Sequence, residues 1–256
     1  MRTEEGVGRT TEDVISGRNA VAEALKSGRP IDSVMVARGN RTGSIGVLIA
    51  KCRDAGIPVK DADPRKLEAI GGPNHQGIIA LAACKAYATL EDLFARAAES
   101  GEEPLFIVCD ELEDPHNLGA IVRTAEAVGA HGVIVPKRRS VGLTSTVYKA
   151  SAGAVEYMPV ARVTNIVDTL RELKKRGVWV YGLDMDGESY DKTDLTGAAA
   201  LVVGAEGNGI GRLVRSECDV IVSLPMRGKI SSLNASVACG ILMYEALRQR
   251  GNKKGK

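Results

Sequence analysis

The sequence predicts an α/β protein: a small N-terminal α/β domain followed by a larger domain whose mostly parallel sheet carries helices on both faces. Three observations predict it. Short Val/Ile-rich runs alternate with longer amphipathic stretches along the chain, the pattern of strands joined by crossover helices. That alternation is interrupted over residues 85–104, where the composition turns charged and ends in Ser-Gly-Glu-Glu-Pro. Hydrophobic residues make up 44% and charged residues 26% of 256 positions, enough apolar surface for one large core or two smaller ones.

The elements follow in order. Residues 1–12 are polar and rich in Gly, Thr and Glu, and read as a flexible tail. Residues 13–84 form the first unit, with helices expected over 19–26, 46–54 and 64–70 and strands over 33–37, 58–60 and 78–83. Residues 85–104 read as a linker containing one amphipathic piece, 90–98. The second unit, 105–250, has strands expected over 105–109, 132–135, 178–183, 200–203 and 220–224. Its helices are expected over 118–128, 144–149, 166–176 and 232–248, and residues 251–256 read as a basic tail. No internal repeat and no low-complexity tract is present.

Composition narrows the functional classes. No apolar run is long enough to span a bilayer, and the N-terminus MRTEEGVGRTTED lacks the basic-then-apolar form of a signal peptide, so no membrane partner and a cytoplasmic location are expected. The five cysteines are scattered, with no CxxC and no Cys/His cluster, which supports neither a disulfide framework nor a metal site. The net charge is only +2. Between Asp13 and Ala83 there are 10 Lys/Arg against 7 Asp/Glu, and from Gly101 onward 20 against 19. Local clusters such as Lys137-Arg138-Arg139 can hold phosphates, though a charge run is more often a solvated surface.

Residues 224–250, LPMRGKISSLNASVACGILMYEALRQR, pass from a strand end through a Pro/Gly loop into a long helix. Ser231, Ser232 and Asn234 crowd its entrance, where one capping side chain would suffice. Three together after a strand look like a site, at the position where open α/β folds bind ligands. Behind them Val237, Ile241, Met243, Tyr244 and Leu247 give a broad apolar surface. The run Gly204-Ala-Glu-Gly-Asn-Gly-Ile-Gly211 fits no phosphate loop: position 212 is Arg212 where GxGxxG needs glycine, and Ile210 follows Gly209 where a Walker loop needs lysine. Its glycines would let the backbone turn tightly and approach a ligand.

Together with DPHNLGAIVRTAEAVGAHGVIVP (114–136) and VVGAEGNGIGRLV (202–214), the 224–250 segment resembles, in order and spacing, the motifs of the SpoU (TrmH-like) branch of the SPOUT RNA methyltransferases. The segments KRRSVGLTSTVYKASAGAVEYMPVARV (137–163) and NHQGIIALA (74–82) add to the match, which runs from about Val14 to Arg250. The chain is similar in particular to bacterial enzymes that methylate the ribose 2′-hydroxyl of a guanosine in 23S ribosomal RNA. The resemblance implies an L30e-like RNA-binding first domain and a SPOUT second domain with a trefoil knot, which no sequence pattern would predict. It also implies S-adenosylmethionine (AdoMet) as cofactor, and homodimers with the active site near the subunit interface.

On this resemblance Gly204, Leu224 and Leu233 match AdoMet contacts, and Met226 joins Leu224 and Leu233 as apolar cover for the adenine. Asn117, Arg123, Glu206, Ser232 and Asn234 are placed around the acceptor hydroxyl. A ribose hydroxyl is a very weak acid, so its proton must be taken or its oxyanion stabilised. The family assigns activation to the arginine matching Arg123; an arginine that stays protonated acts more readily as a cation gripping a phosphate or the oxyanion. Each residue also has a structural account: Arg123 in an ion pair with Glu126, Asn117 as cap of a helix starting at Leu118, Ser232 and Asn234 as caps of the last helix. Glu206 in its turn could hold Arg123 or a ribose hydroxyl, and His116 reads as structural or solvent-facing. Methylation of transfer RNA or of another ribosomal nucleotide, as in antibiotic resistance, stays open, as does a non-catalytic RNA-binding role in ribosome assembly. An unrelated nucleotide-using enzyme is disfavoured by the failed phosphate-loop spacings.

Overall fold

A computed structural model describes residues 13–39, 42–205, 207, 209–229 and 232–253, the side chains of the last two excepted. The chain divides into two compact units, residues 1–86 with 142–149, and residues 87–141 with 150–256. The expected tail over 1–12 lies outside the described residues.

The first unit contains β1 (Val14–Ser16), α1 (Arg18–Lys26), β2 (Ile31–Ala37), α2 (Gly43–Asp54), β3 (Val59–Ala62), α3 (Pro64–Gly71) and β4 (Ile78–Ala82). Its sheet order is β1-β4-β2-β3, with β2 and β3 parallel and the other pairs antiparallel. Every residue of β2 is buried. Side chains alternate across a strand, so Val34 and Val36 join the core with Ile45, Leu48 and Cys52 of α2. Met35 and Ala37 point to the opposite core with Leu67 of α3. Helix α3 starts where the sequence dictates: the Asp63 side chain accepts from the Arg65 backbone N–H at 2.9 Å and Pro64 follows it. Residues 142–149 belong here as well, because the Asp13 carboxylate accepts from both the backbone N–H and the hydroxyl of Ser145.

In the second unit come α4 (Leu90–Ser100), β5 (Leu105–Cys109), α5 (Pro115–Ala127) and β6 (Gly132–Pro136), and, once the chain has passed through the first unit's α6 (Ser145–Ala150), β7 (Val160–Val163) and α7 (Ile166–Lys175). The remainder is β8 (Trp179–Ser189), β9 (Ala199–Val203), α8 (Arg212–Glu217), β10 (Val220–Ser223) and α9 (Ala235–Lys253). The six strands run parallel in the order β10-β8-β9-β5-β6-β7. One face packs Phe106, Val108, Val180, Ala200 and Val202 against Leu93 of α4, Leu170 and Leu173 of α7, and Val214 of α8. Helices α5 and α9 pack on each other and on the strands, burying Leu118, Ile121, Val122, Leu242 and Met243. The mostly parallel sheet with helices on both faces is therefore present, beside an N-terminal α/β unit.

Several boundaries differ from the sequence expectation. The amphipathic piece expected over 90–98 is a packed helix that runs to Ser100: Thr89 and Asp92 form a capping box, and Leu93 and Ala97 are buried. Truncating Leu93, fully buried in the same core as Phe106, would cost about 2–5 kcal/mol. Strand β7 escaped notice because its sequence, VARV, interrupts the apolar run with Arg162, whose guanidinium sits 4.7 Å from the centre of the Tyr87 ring. Strand β1 and helix α8 were too short to show a period. Helix α9 continues to Lys253, so residues 251–253 extend it instead of starting a tail.

The pairing of β8 with β10 positions the site. It jumps from Gly182↔Ile221 to Glu188↔Val222, so residues 183–187 leave the ladder as an excursion. Gly187 permits this, because a Cβ there would lie 2.4 Å from the Ile221 carbonyl oxygen.

Candidate active site

A cavity of about 700 Å³ opens at the carboxyl ends of β8, β9 and β10. The β8 excursion contributes Leu183, Asp184 and Met185; the end of β9 contributes Gly204 and Ala205; and the loop after β10 contributes Leu224 and Met226. The approach to α9 closes it with Ser232, Leu233 and Ala235. Ligands bind at this edge of parallel sheets because the strand ends and following loops converge there.

Gly204 cannot be another residue without moving the loop. A Cβ there would lie 2.0 Å from the carbonyl carbon and oxygen of Gly209 and 2.4 Å from the nitrogen of Ile210. The loop folds back on itself through the Gly209 N–H, which donates to the Ala205 carbonyl at 2.9 Å, and Gly207 and Gly209 take the left-handed φ values of 81° and 63°. Asp110, at the end of β5, anchors the far side by accepting from the Gly211 N–H at 2.8 Å. Burial pushes the Asp110 carboxyl above its usual range, with the Gly211 hydrogen bond opposing the shift.

Asn234 caps α9. Its side-chain oxygen accepts from the Ser236 N–H at 3.0 Å and the Val237 N–H at 3.2 Å, while its NH₂ donates to the Asn117 side-chain oxygen at 2.9 Å. Asn117 is not the cap of α5. That helix begins earlier, at Pro115, and Asp114 caps it by accepting from the His116 N–H at 3.0 Å, which leaves Asn117 buried in the first turn. Ser232 lines the cavity two residues before the Asn234 cap and lies outside the helix expected to begin with it.

Of the residues expected at the site, Gly204, Leu224, Met226, Leu233 and Ser232 line this one cavity, and Asn234 sits between two lining residues with Asn117 bound to it. Arg123 is elsewhere. It is exposed on α5, six residues along and about 120° around the helix from Asn117. The ion pair with Glu126, the structural alternative for Arg123, is not formed, and Arg123 has no ion pair with any described residue. Glu206 and Ser231 lie outside the described residues. Sequence reasoning missed Asp184 and Met185, which the strand expected to stop at residue 183 carries beyond its end; Asp184 is held by Arg215, which also binds Asp186 at 2.9 Å. The signal available was the strand end itself.

The lining suits a nucleoside without phosphate. Met226 and Leu233 are each 40% exposed at the rim, apolar surface that a flat base would cover, and among the described residues Lys229 is the only Lys or Arg in the lining. Among the described residues no group of His, Cys, Asp and Glu could hold a metal ion, and no helix is long and apolar enough to cross a membrane.

Comparison with known proteins agrees with this geometry. The model of the SpoU rRNA Methylase family matches residues 104–244, and a second, for RNA 2′-O ribose methyltransferase substrate binding, matches 14–88. A Bacillus subtilis (strain 168) protein named for the TrmH family of tRNA/rRNA methyltransferases, YacO, is 50% identical over 239 residues, 93% of this chain and 96% of its own. The AdoMet-bound rRNA methyltransferase from Sinorhizobium meliloti has a similar structure, with a TM-score of 0.58 and 26% identity over 92% of this chain and 86% of its own. The A. aeolicus TrmH/SpoU tRNA modifying enzyme has a TM-score of 0.55 and 31% identity over 64% of this chain and 86% of its own. With a methylase model across more than half its length and a half-identical relative along nearly all of it, the chain belongs to the SpoU rRNA methylase family and is an AdoMet-dependent RNA 2′-O-ribose methyltransferase.

Proposed function

We propose that this enzyme methylates the ribose 2′-hydroxyl of a guanosine in 23S ribosomal RNA, in the cytoplasm and as a homodimer. The observation that carries the choice of RNA is the extent of likeness. The rRNA methyltransferase from Sinorhizobium meliloti is similar along 92% of the chain, including the first unit, whereas the tRNA modifying enzyme is similar along 64%. A substrate-recognition unit shared with an rRNA enzyme favours an rRNA substrate.

Bound AdoMet supplies a methyl group on a positively charged sulfur, open to attack by an oxygen nucleophile. Gly204, Leu224, Met226 and Leu233 hold the nucleoside: Gly204 by leaving its backbone accessible, the others by excluding water from the base. Asn117 and Asn234, bound to each other, fix the entrance to α9 beside Ser232, whose hydroxyl is free to orient the acceptor.

Arg123 supplies the cation that stabilises the acceptor oxygen as its proton passes to solvent water. It serves a second copy of the chain. On α5 it neighbours Ala120 and Thr124, which line a groove with Val237, Ile241 and Tyr244 of α9. Those three are 51%, 37% and 53% exposed, an apolar stripe at i, i+4 and i+7 fit for a two-fold contact.

The test is transfer of labelled methyl groups from AdoMet to a 23S rRNA transcript and to bulk tRNA, followed by ribose-methylation mapping in a strain lacking the gene. Label at a 23S guanosine, absent from the deletion strain, is expected. Label confined to tRNA would refute the ribosomal assignment.

A further inference from the structure

The donor cavity takes up only part of the carboxyl edge of the sheet. At the ends of β5, β6 and β7 lies a second cleft, of about 490 Å³, lined by Asp110 and Glu111, Arg138 and Arg139, the first turn of α7, and Arg212 and Leu213 of α8. The two hollows are joined by the glycine loop: Gly204, Ala205, Gly207 and Gly209 line the first, and Gly211 lines the second. A strand lying along this edge would pass from one to the other over residues 205–211.

The charges of this cleft are unevenly matched. Arg139 binds the Glu111 carboxylate at 3.0 Å, and both residues take left-handed backbone conformations, φ 53° and 54°. Asp110 is buried and turned to the Gly211 N–H. Arg138 and Arg212 are exposed and bind no carboxylate among the described residues. Between them Leu213 is 63% exposed, an apolar side chain held in the open at the start of α8. Two unmatched guanidiniums beside an exposed apolar surface meet the two demands of a nucleotide: anionic oxygens for the arginines and a base face for the leucine.

We propose that this cleft binds the phosphodiester backbone of the RNA substrate next to the nucleotide being methylated, with Arg138 and Arg212 on phosphate oxygens and Leu213 against a base. This rests on RNA being the substrate and does not depend on which RNA it is. It gives the enzyme a hold on the strand through the catalytic unit itself, separate from recognition by the first unit.

The experiment measures the affinity of the full-length protein for a fluorescent 23S rRNA transcript across a salt series, for the parent and for R138Q/R212Q. Lys175→Gln, at the opposite end of α7 and about 15 Å from the cleft, controls for net charge. The double variant is expected to bind at least about tenfold more weakly near 0.1 M salt, and the slope of log K against log salt is expected to flatten by about 1.4 to 1.8, the loss of two phosphate contacts. Affinity for AdoMet by calorimetry is unchanged in a folded variant, so loss of the fold is visible separately. An unchanged slope, or a change in K175Q half as large as that of the double variant, which removes twice the charge, overturns the proposal. Should the parent methylate tRNA and not 23S rRNA, the ribosomal assignment fails alone, and the same series on tRNA decides the cleft.

Discussion

The NH₂ of Asn234 donates to the side-chain oxygen of Asn117 across 2.9 Å, joining residues 117 positions apart, while the oxygen of the same amide caps α9. The two functions separate by substitution. Asn234→Asp keeps an acceptor for the helix N–H groups but presents a carboxylate oxygen to the buried Asn117 oxygen, a repulsion worth about 1–3 kcal/mol. Methyl transfer is expected to drop by about tenfold or more. Asn234→Ala loses the cap as well, at a further cost of about 1 kcal/mol in stability. Turnover measured beside thermal melting distinguishes the two; full activity in the Asp variant would show that the bond is only structural.

Gly204→Ala places a methyl group where the Gly209 carbonyl now stands, 2.0 Å from the built Cβ. The loop must open, and its Gly211 end is tethered to Asp110. Displacement therefore falls on the segment between, which lines the donor cavity. Calorimetry with AdoMet is expected to show affinity reduced by about tenfold or more, equal to about 1.4 kcal/mol. The far-UV spectrum should be unaltered, since the substitution lies beyond the end of β9.

The sheet was largely legible in the sequence because it follows from local pattern, whereas Gly204, Leu224 and Leu233, which line the candidate cavity, were singled out by the resemblance to SpoU methyltransferases. Strand β5, LFIVC, is an uninterrupted apolar run, and the loops that build the cavity come directly after strands. What stayed hidden depended on partners distant in sequence. Asn117 looked like a cap because Leu118 begins an apolar run, yet Pro115 and Asp114 start the helix three residues earlier and free Asn117 to meet Asn234. Asp184 was invisible because a ladder that skips from Gly182 to Glu188 has no period to detect. The position of Arg123, six residues from Asn117 on one helix, follows from helical geometry once the helix is known; its separation from the cavity required the fold.

Asp110 gives the enzyme a predictable response to pH. Its carboxyl is raised by burial from the ordinary value of 3.8, so the folded state holds the proton to a higher pH than the unfolded chain. Stability contributed by this group is present at low pH, declines as pH climbs from the unfolded value through the raised one, and is lower at neutrality. Asp110→Asn retains an oxygen to accept from the Gly211 N–H and removes the charge. Its melting temperature is expected to exceed that of the parent at pH 7, with the difference shrinking as pH falls towards the unfolded value. A variant less stable than the parent at neutral pH would show that the carboxylate's hydrogen bond outweighs its desolvation.

Arg123→Ala removes a side chain that is exposed and makes no ion pair with the described residues, so folding and AdoMet affinity should stay as in the parent. Methyl transfer is expected to fall by about 10²–10³, the cost of losing one group that stabilises a developing oxyanion. Mixing decides whether the arginine acts across subunits. In a heterodimer of Arg123→Ala and Gly204→Ala, one site pairs an intact cavity with an intact arginine from the other copy, and the second site carries both defects. Random reassociation of equal amounts should then restore roughly a quarter of the parent activity from two nearly inactive proteins. An arginine serving its own chain restores none, because every site keeps one defect. Ile241→Glu, which puts a charge in the middle of the α9 stripe, should prevent both assembly and rescue, read as monomer mass by light scattering.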